Sequence, residues 1–405
     1  MAIRTEAVLS SVVLSLLFIF VYGGCNALAS RQTDLAVCFF AWELRIPFVP
    51  ALIVPYMSID LFFVASFLLC GDRIELSTHA RRIGAAILTA GLAFLVFPLA
   101  AGYTRPAVSG WSGWLFEFLW SFDKPHNLVP SLHVALASLL WPLYARHTRA
   151  PLRWFVHAWF TLIVASALFT WQHHVLDVVT GAMLAQVCSF AFPEWRERGL
   201  VCSAAPNVRV AGLYAAGSAL LVILAIALGY WFWLLLWPAA SLALIAIAYA
   251  RGNSAVFRKA DGRLPTSTRV VLGPYLWGAF ARLLIYRPRG EWVEAAPGVY
   301  CGGLLIGREA LAMRSMGVTG VLDLTAEHAE TRAFQNIEYL NVPVLDLTQP
   351  SQEQLEVAFA FIAEHARRGC VYVHCALGIS RSVAAIAGYT AMLQTKARPT
   401  SMVIV

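Results

Sequence analysis

Long apolar runs dominate the first 250 positions, and short alternating ones the remainder. The long runs cover Val8 to Tyr22 and about 46–70, 83–102, 131–145, 154–171, 175–193, 208–228 and 230–250, the last two divided near Gly229. Each approaches the length of a bilayer crossing, so the pattern predicts eight spans, with 131–145 short enough to start below the surface or to be tilted by its neighbours. Arg4 ahead of the first run, and Gly23-Gly24-Cys25 and Ala27-Leu28-Ala29 after it, leave a signal peptide or lipoprotein signal open. The spans that follow favour a retained first helix. From about 291 the period changes. Gly298 to Cys301, Val318 to Leu324, Tyr339 to Leu345 and Val371 to Val373 read as strands, and Gln352 to Arg367 and Val383 to Leu393 as helices. Ser351 with Gln354 is a capping box for the first of these helices. The fold class predicted is a multi-span α-helical membrane bundle followed by a soluble α/β domain, whose sheet binds ligands at the carboxyl ends of its strands.

Composition sharpens this division. Over 405 residues, 59% are hydrophobic and only 13% charged, about half the charge of an ordinary soluble chain. The net charge of +7 would suggest nucleic acid in a soluble protein. Here the arginines sit at the ends of apolar runs, which points to membrane topology and to no nucleic-acid partner. The connections 71–82, 146–153 and 194–209 carry Arg73, Arg81, Arg82, Arg146, Arg149, Arg153, Arg196, Arg198 and Arg209, against Arg31, Arg45, Arg105 and Lys124 in the alternate connections. The first set is then cytoplasmic, and eight spans return the chain to the cytoplasm at Arg251. The expected location is the inner (cytoplasmic) membrane of a bacterium, multi-pass, with the C-terminal domain cytoplasmic. Residues 251–290 form a basic connector with Arg258, Lys259, Arg263, Arg269, Arg282, Arg287 and Arg289, interleaved with Tyr275, Leu276, Trp277, Phe280 and Tyr286. It reads as a surface helix on anionic lipid, or else as a solvated linker. Eight scattered cysteines without a C-x-x-C pair argue against a disulfide framework and a zinc site.

The sharpest chemistry lies in His374-Cys375-Ala376-Leu377-Gly378-Ile379-Ser380-Arg381-Ser382. A strand that feeds a tight loop opening a helix gathers backbone N–H groups around one point, with the positive helix end behind it. That field suits a phosphate dianion, and it stabilises a thiolate on Cys375. Arg381 is suited to gripping two phosphate oxygens. The plainer alternative is a structural cysteine that happens to precede an arginine. The segment resembles the signature of cysteine-based protein tyrosine phosphatases, and the short domain resembles their dual-specificity branch. The resemblance implies a phosphocysteine on Cys375, phosphate binding by Arg381 and the backbone of Ala376, Leu377, Gly378, Ile379 and Ser380, a thiolate stabilised by Ser382, and tuning by His374. A proton donor for the leaving oxygen is also needed. Val-Leu-Asp-Leu-Thr occurs at both 321–325 and 344–348. Asp346, on the loop before the helix that precedes the signature strand, matches the family's acid, with Asp323 as the alternative.

A second set of polar residues interrupts the apolar half: Arg105-Pro106, Pro130-Ser131-Leu132-His133, and His173 with Asp177 four residues on. Tracing the spans puts all three clusters at the non-cytoplasmic face, and ionisable groups at such depth are functional by default. One turn of helix lets Asp177 hold one ring nitrogen of His173 and leave the other free. These clusters resemble the type 2 phosphatidic acid phosphatase superfamily. The resemblance implies His173 as nucleophile, Asp177 as its orienter, His133 as acid, Arg105 and Ser131 as phosphate ligands, and no metal. Pro98 and Ala167 stand where that family often has cations, so phosphatase, phosphotransferase and inactive readings all stay open, with Lys124 a substitute cation. The plain alternative is a set of side chains satisfied between helices.

The chain is thus expected to comprise a six-span membrane domain over 1–206, two additional helices over 207–250, the connector over 251–290, and a phosphatase-like domain over 291–405 that ends early at Ser401-Met402-Val403-Ile404-Val405. The expected function is a membrane-bound phosphoric monoester hydrolase without a cofactor, acting on a phosphorylated lipid or a phosphoprotein among membrane lipids. A regulatory module that binds phosphorylated partners and a transporter are the alternatives.

Overall fold

The computed structural model describes residues 2–32, 35–194, 205–287 and 292–397. Arg196, Arg198, Arg289 and the apolar ending Ser401 to Val405 lie outside the described residues. The chain forms two compact units, Met1–Trp195 and Arg196–Val405.

The first unit is a bundle of α1 (Ala2–Ala29), α2 (Ile53–Leu69), α3 (Arg73–Val96), α4 (Gly110–Phe122), α5 (Leu132–His147), α6 (Leu152–Phe169) and α7 (Val175–Ala191), with a short parallel pair β1 (Ala36–Val37) and β2 (Leu99–Ala100). Its core is aromatic and aliphatic, centred on Phe67, Ile83, Ile87, Leu140, Phe160 and Ile163. Gly181 lets α7 touch the start of α5, because a Cβ there would lie 2.3 Å from the Ser131 carbonyl oxygen. The third apolar run begins earlier than its hydropathy suggests. Asp72 accepts the Glu75 N–H at 2.8 Å and so caps α3, which turns the polar stretch 73–82 from a connection into the first turns of a helix. The arginines nonetheless collect at one end of the bundle. Arg73 pairs with Glu6 at 2.7 Å, and Arg146 bridges Glu75 at 2.9 Å and Glu194 at 2.7 Å. Helix α4 is an addition to the expected set, and it leaves Trp111, Trp114, Phe118 and Phe122 exposed.

The second unit opens with α8 (Val208–Leu228) and α9 (Leu236–Arg251). Six helices of the described chain are long and apolar enough to cross a membrane: Ile3–Ala29, Pro50–Leu69, Arg73–Val96, Leu152–Phe169, Val208–Leu228 and Phe232–Arg251. Two of the eight expected spans fall short of that length, α5 with 16 residues and α7 with 17.

After α9 the expected connector is folded as α10 (Thr266–Val271) and α11 (Gly273–Tyr286). The Ser254 hydroxyl donates to the Pro343 carbonyl at 2.7 Å, and Phe257, Tyr275, Tyr214 and Tyr249 form one aromatic cluster. Beyond it come β3 (Trp292–Ala296), β4 (Val299–Gly302), α12 (Arg308–Ser315), β5 (Val318–Thr325), β6 (Glu338–Val344), α13 (Gln352–Arg368), β7 (Cys370–His374) and α14 (Arg381–Ala397). The sheet order is β3-β4-β7-β5-β6, parallel except for β3. Strand β7 is therefore central and needs apolar residues on both faces, which Val371, Tyr372 and Val373 supply. The capping box starts α13: Ser351 Oγ accepts the Gln354 N–H at 3.2 Å, and Gln354 Oε1 accepts the Ser351 N–H at 2.9 Å.

Candidate active site

The loop from Cys375 to Ser380 joins the carboxyl end of β7 to the amino end of α14. Gly378 has φ +78°, and a Cβ on it would meet the Gly303 nitrogen at 2.6 Å, so only glycine closes this turn. The turn points the Gly378 N–H at Cys375 Sγ, 3.3 Å away, and the Ser382 hydroxyl lies 3.3 Å from the same sulfur. Burial opposes ionisation of Cys375. The Arg381 charge and the bonds from Ser382 and Gly378 outweigh it and bring the thiol below its usual range.

Arg381 is 1% exposed and is held more tightly than its motif implies. Its two Nη atoms donate to Glu327, at 3.0 Å to Oε2 and 2.7 Å to Oε1, and Nη1 also donates to the Val344 carbonyl at 2.8 Å. The expected two-pronged grip on phosphate is thus occupied within the protein, as a buried guanidinium requires. Nε is buried and has no partner among the described residues. Burial disfavours both charges of the pair. Their mutual attraction prevails, holding the Glu327 carboxyl far below the carboxylate range and raising Arg381.

His374, expected to tune Cys375, does not face the loop interior and so is not placed to contact substrate. It is fully buried behind the loop, between Gly302 of β4 and Asp323 of β5 in register, with Nε2 2.8 Å from Glu330 and Nδ1 3.3 Å from the Cys375 carbonyl. Burial works against its protonation, but Glu330 and then Asp323 raise its pKa to about 9, so it stands protonated at neutral pH. Asp323, the alternative acid, is buried in this network. It accepts from Lys259 Nζ, from Tyr339 Oη at 2.8 Å and from the Thr325 N–H at 2.7 Å. Lys259 also reaches the Thr325 carbonyl at 3.1 Å. Asp323, Glu330 and His374 gather as metal ligands would, but the Lys259 and His374 cations already balance these carboxylates.

Asp346 also lies beside Arg381. Its Oδ1 is 3.3 Å from Arg381 Nη2, and its Oδ2 pairs with Arg282 of α11. Leu283, next in that helix, is buried against Leu304, Ala376 and Leu377, so α11 packs on the signature loop itself. Sequence reasoning missed Glu327, Glu330, Lys259 and Arg282 as site residues. Glu327 and Glu330 follow the end of a β-strand by a few residues, which was their available signal.

In the first unit, His173 lies just before α7, with Nδ1 3.4 Å from Asp177 Oδ2 but not hydrogen-bonded to it. That carboxylate oxygen accepts the His174 N–H at 2.8 Å, so Asp177 caps α7 as well as facing His173. His133, stacked on Tyr56, and His173 line one cavity of about 430 Å³ together with Tyr22, Asp60 and Asp123. Arg105, Lys124 and His173 line an adjoining one of about 100 Å³. Arg105 donates to the Asp123 carbonyl at 2.7 Å and lies over Trp120. Ser131 departs from its expected role. It is fully buried, accepts the Val134 N–H at 3.3 Å as the cap of α5, and lines neither cavity. His174, not singled out beforehand, is buried with Nδ1 3.1 Å from Glu43 and Nε2 accepting the Gly102 N–H at 3.0 Å.

Residues 306–402 match the family "Dual specificity phosphatase, catalytic domain". The chain is also similar to dual specificity protein phosphatase 12 of Mus musculus, 36% identical over 104 residues, and of Homo sapiens, 35% identical over 105. Each match covers 25% of this chain and 31% of the relative, so the chain spans about a third of the length of these proteins. A helical first part with several apolar helices thus precedes an α/β sheet of matching kind, and the C-terminal part of the chain carries a dual specificity phosphatase catalytic domain.

Proposed function

We propose that the chain is a membrane-bound phosphomonoesterase working through a phosphocysteine on Cys375. The observation that carries this reading is the sulfur at the bottom of a loop that directs the Gly378 N–H and the Ser382 hydroxyl at it, with the unpartnered Nε of Arg381 nearby. The thiolate attacks phosphorus, forming the S–P bond as the P–O ester bond breaks. Protonated Asp346 gives its proton to the leaving oxygen. Water then attacks phosphorus, its proton returns to Asp346, and the S–P bond breaks to release phosphate. Backbone amides of the loop and Arg381 Nε hold the phosphoryl oxygens, while Glu327 keeps the guanidinium plane fixed. Phosphate release from an aryl phosphate by the full chain tests this. Cys375→Ser is expected to abolish release, and full activity in that variant would contradict the proposal.

The membrane setting belongs to the same reading. Six apolar helices and arginines gathered at one bundle end support crossings with that end in the cytoplasm. A second site is supported by the approach of His173 to Asp177 and by the cavity that His173 shares with His133. There, His173 attacks a lipid phosphate, Asp177 holds its Nδ1 edge, His133 supplies the leaving-group proton, and Arg105 bears the phosphate charge. Trapped phosphohistidine in the Cys375→Ser background, lost in His173→Ala, is the expected result.

A further inference from the structure

Asp346 sits between two guanidinium groups, Arg381 on one oxygen and Arg282 on the other. A carboxyl that serves the leaving oxygen must be free to reach it, and the pair with Arg282 holds one of the two Asp346 oxygens. Something must therefore draw Arg282 away when substrate binds. Arg282 is able to leave: its side chain is 42% exposed, whereas Arg381 is buried and clamped by Glu327. We propose that Arg282 is a substrate-binding residue of the cysteine site, and that it takes a second anionic group on the substrate, near the phosphomonoester. On this proposal, which rests on the phosphocysteine reading above, that second anion frees Asp346 from its pair to reach the leaving oxygen.

The helix that holds Arg282 indicates the substrate class. One face of α11 is buried through Tyr275 and Leu283, the latter against Ala376 and Leu377. The remaining positions expose Trp277, Phe280, Leu284, Ile285 and Tyr286, with Arg269 and Arg287 beyond its ends. A helix that shows large apolar side chains to solvent suits the interface of a bilayer, and Arg269 just before it is the exposed cation there, Arg287 being paired with Glu309 at 2.7 Å. It also follows Phe232–Arg251, a helix long enough to cross the membrane, by about twenty residues. The occupant is therefore a lipid whose head group holds a terminal phosphomonoester and, one short spacer away, a phosphodiester.

The test uses the full chain in mixed micelles, with its catalysis at His173 removed by His173→Ala. Two dioleoyl probes are compared: phosphatidic acid, with the monoester alone, and phosphatidylglycerol phosphate, with a diester as well. The ratio of kcat/KM for the second over the first is expected to exceed one, to fall about tenfold in Arg282→Gln and to recover in Arg282→Lys. In the Arg282-intact chain the ratio should also fall as salt is raised, a readout that needs no variant to fold. An unchanged ratio in Arg282→Gln overturns the proposal. So does a phosphopeptide with an acidic neighbour, if it is turned over faster than either lipid with the same Arg282 dependence. Absence of Cys375-dependent release from every probe, aryl phosphate included, overturns the phosphatase reading itself.

Discussion

Glu327 turns Arg381 from a flexible cation into a fixed one. With two bonds to a carboxylate and a third to the Val344 carbonyl, the guanidinium cannot follow a misplaced phosphate. Replacing Glu327 with Gln removes a charge from a buried pair and leaves Arg381 facing only Asp346 among the described carboxylates, at 3.3 Å. Loss of about 3–5 kcal/mol of stability is the usual scale for breaking such a pair, so the variant should be partly unfolded and its folded fraction slow. Thermal denaturation together with kcat per folded molecule checks both effects. Asp346 is expected to behave differently. Asp346→Asn should slow alkyl phosphates far more than aryl phosphates, whose leaving oxygen needs little proton assistance. An unchanged alkyl-to-aryl rate ratio would remove Asp346 from the chemistry. Cys375, Arg381 and Asp346 were legible because a contiguous motif and its distance from the preceding helix define them. Glu327, Arg282 and Lys259 were not, because each reaches the loop from a different element and no spacing in the chain records that meeting.

At the scale of elements, strand β7 carries a buried charge network on its last residue. Glu330 and Asp323 raise His374 to about 9, against about 6.5 in an unfolded chain. A raised pKa contributes stability in full below about 6.5, and the contribution is lost as pH rises through 9. The carboxyls of Asp323 and Glu327 are depressed, so their contribution is present above about 4 and is lost as pH falls below that. The thermal midpoint of the second unit should thus decline from pH 7 to pH 10. His374→Gln should flatten that alkaline limb, and an equally steep limb in the variant would exclude His374 as its source. Strands β4 to β7 and helices α13 and α14 were readable from period and caps. Helix α3 was misjudged at its start because Asp72 caps a stretch whose hydropathy resembles a loop. The region 251–290 was read as a connector because its arginines dominate the pattern. Its buried Lys259 shows instead that part of this basic stretch belongs to the phosphatase core.

On the whole-molecule scale, the proposed function assigns one nucleophile to each unit, His173 and Cys375. Cysteines placed at 110 and 149 provide the test of topology: a membrane-impermeant thiol reagent added from outside should label position 110 and leave 149 untouched. Equal labelling would contradict the positive-inside assignment. Composition had separated an apolar first part, ending near 250, from an ordinary second one, whereas the boundary between the compact units falls earlier, after residue 195. What composition did not reveal is that α8, α9 and α11 belong with the sheet and not with the preceding helices, since those contacts form between residues far apart in sequence. The most direct measurement is rapid quenching of the full chain with a ³²P-labelled phosphomonoester, followed by mapping of the bound label. A burst of label on the peptide containing Cys375 is expected, present in His173→Ala and absent in Cys375→Ser. Turnover with no label on Cys375, or a burst that survives Cys375→Ser, would contradict the phosphocysteine mechanism.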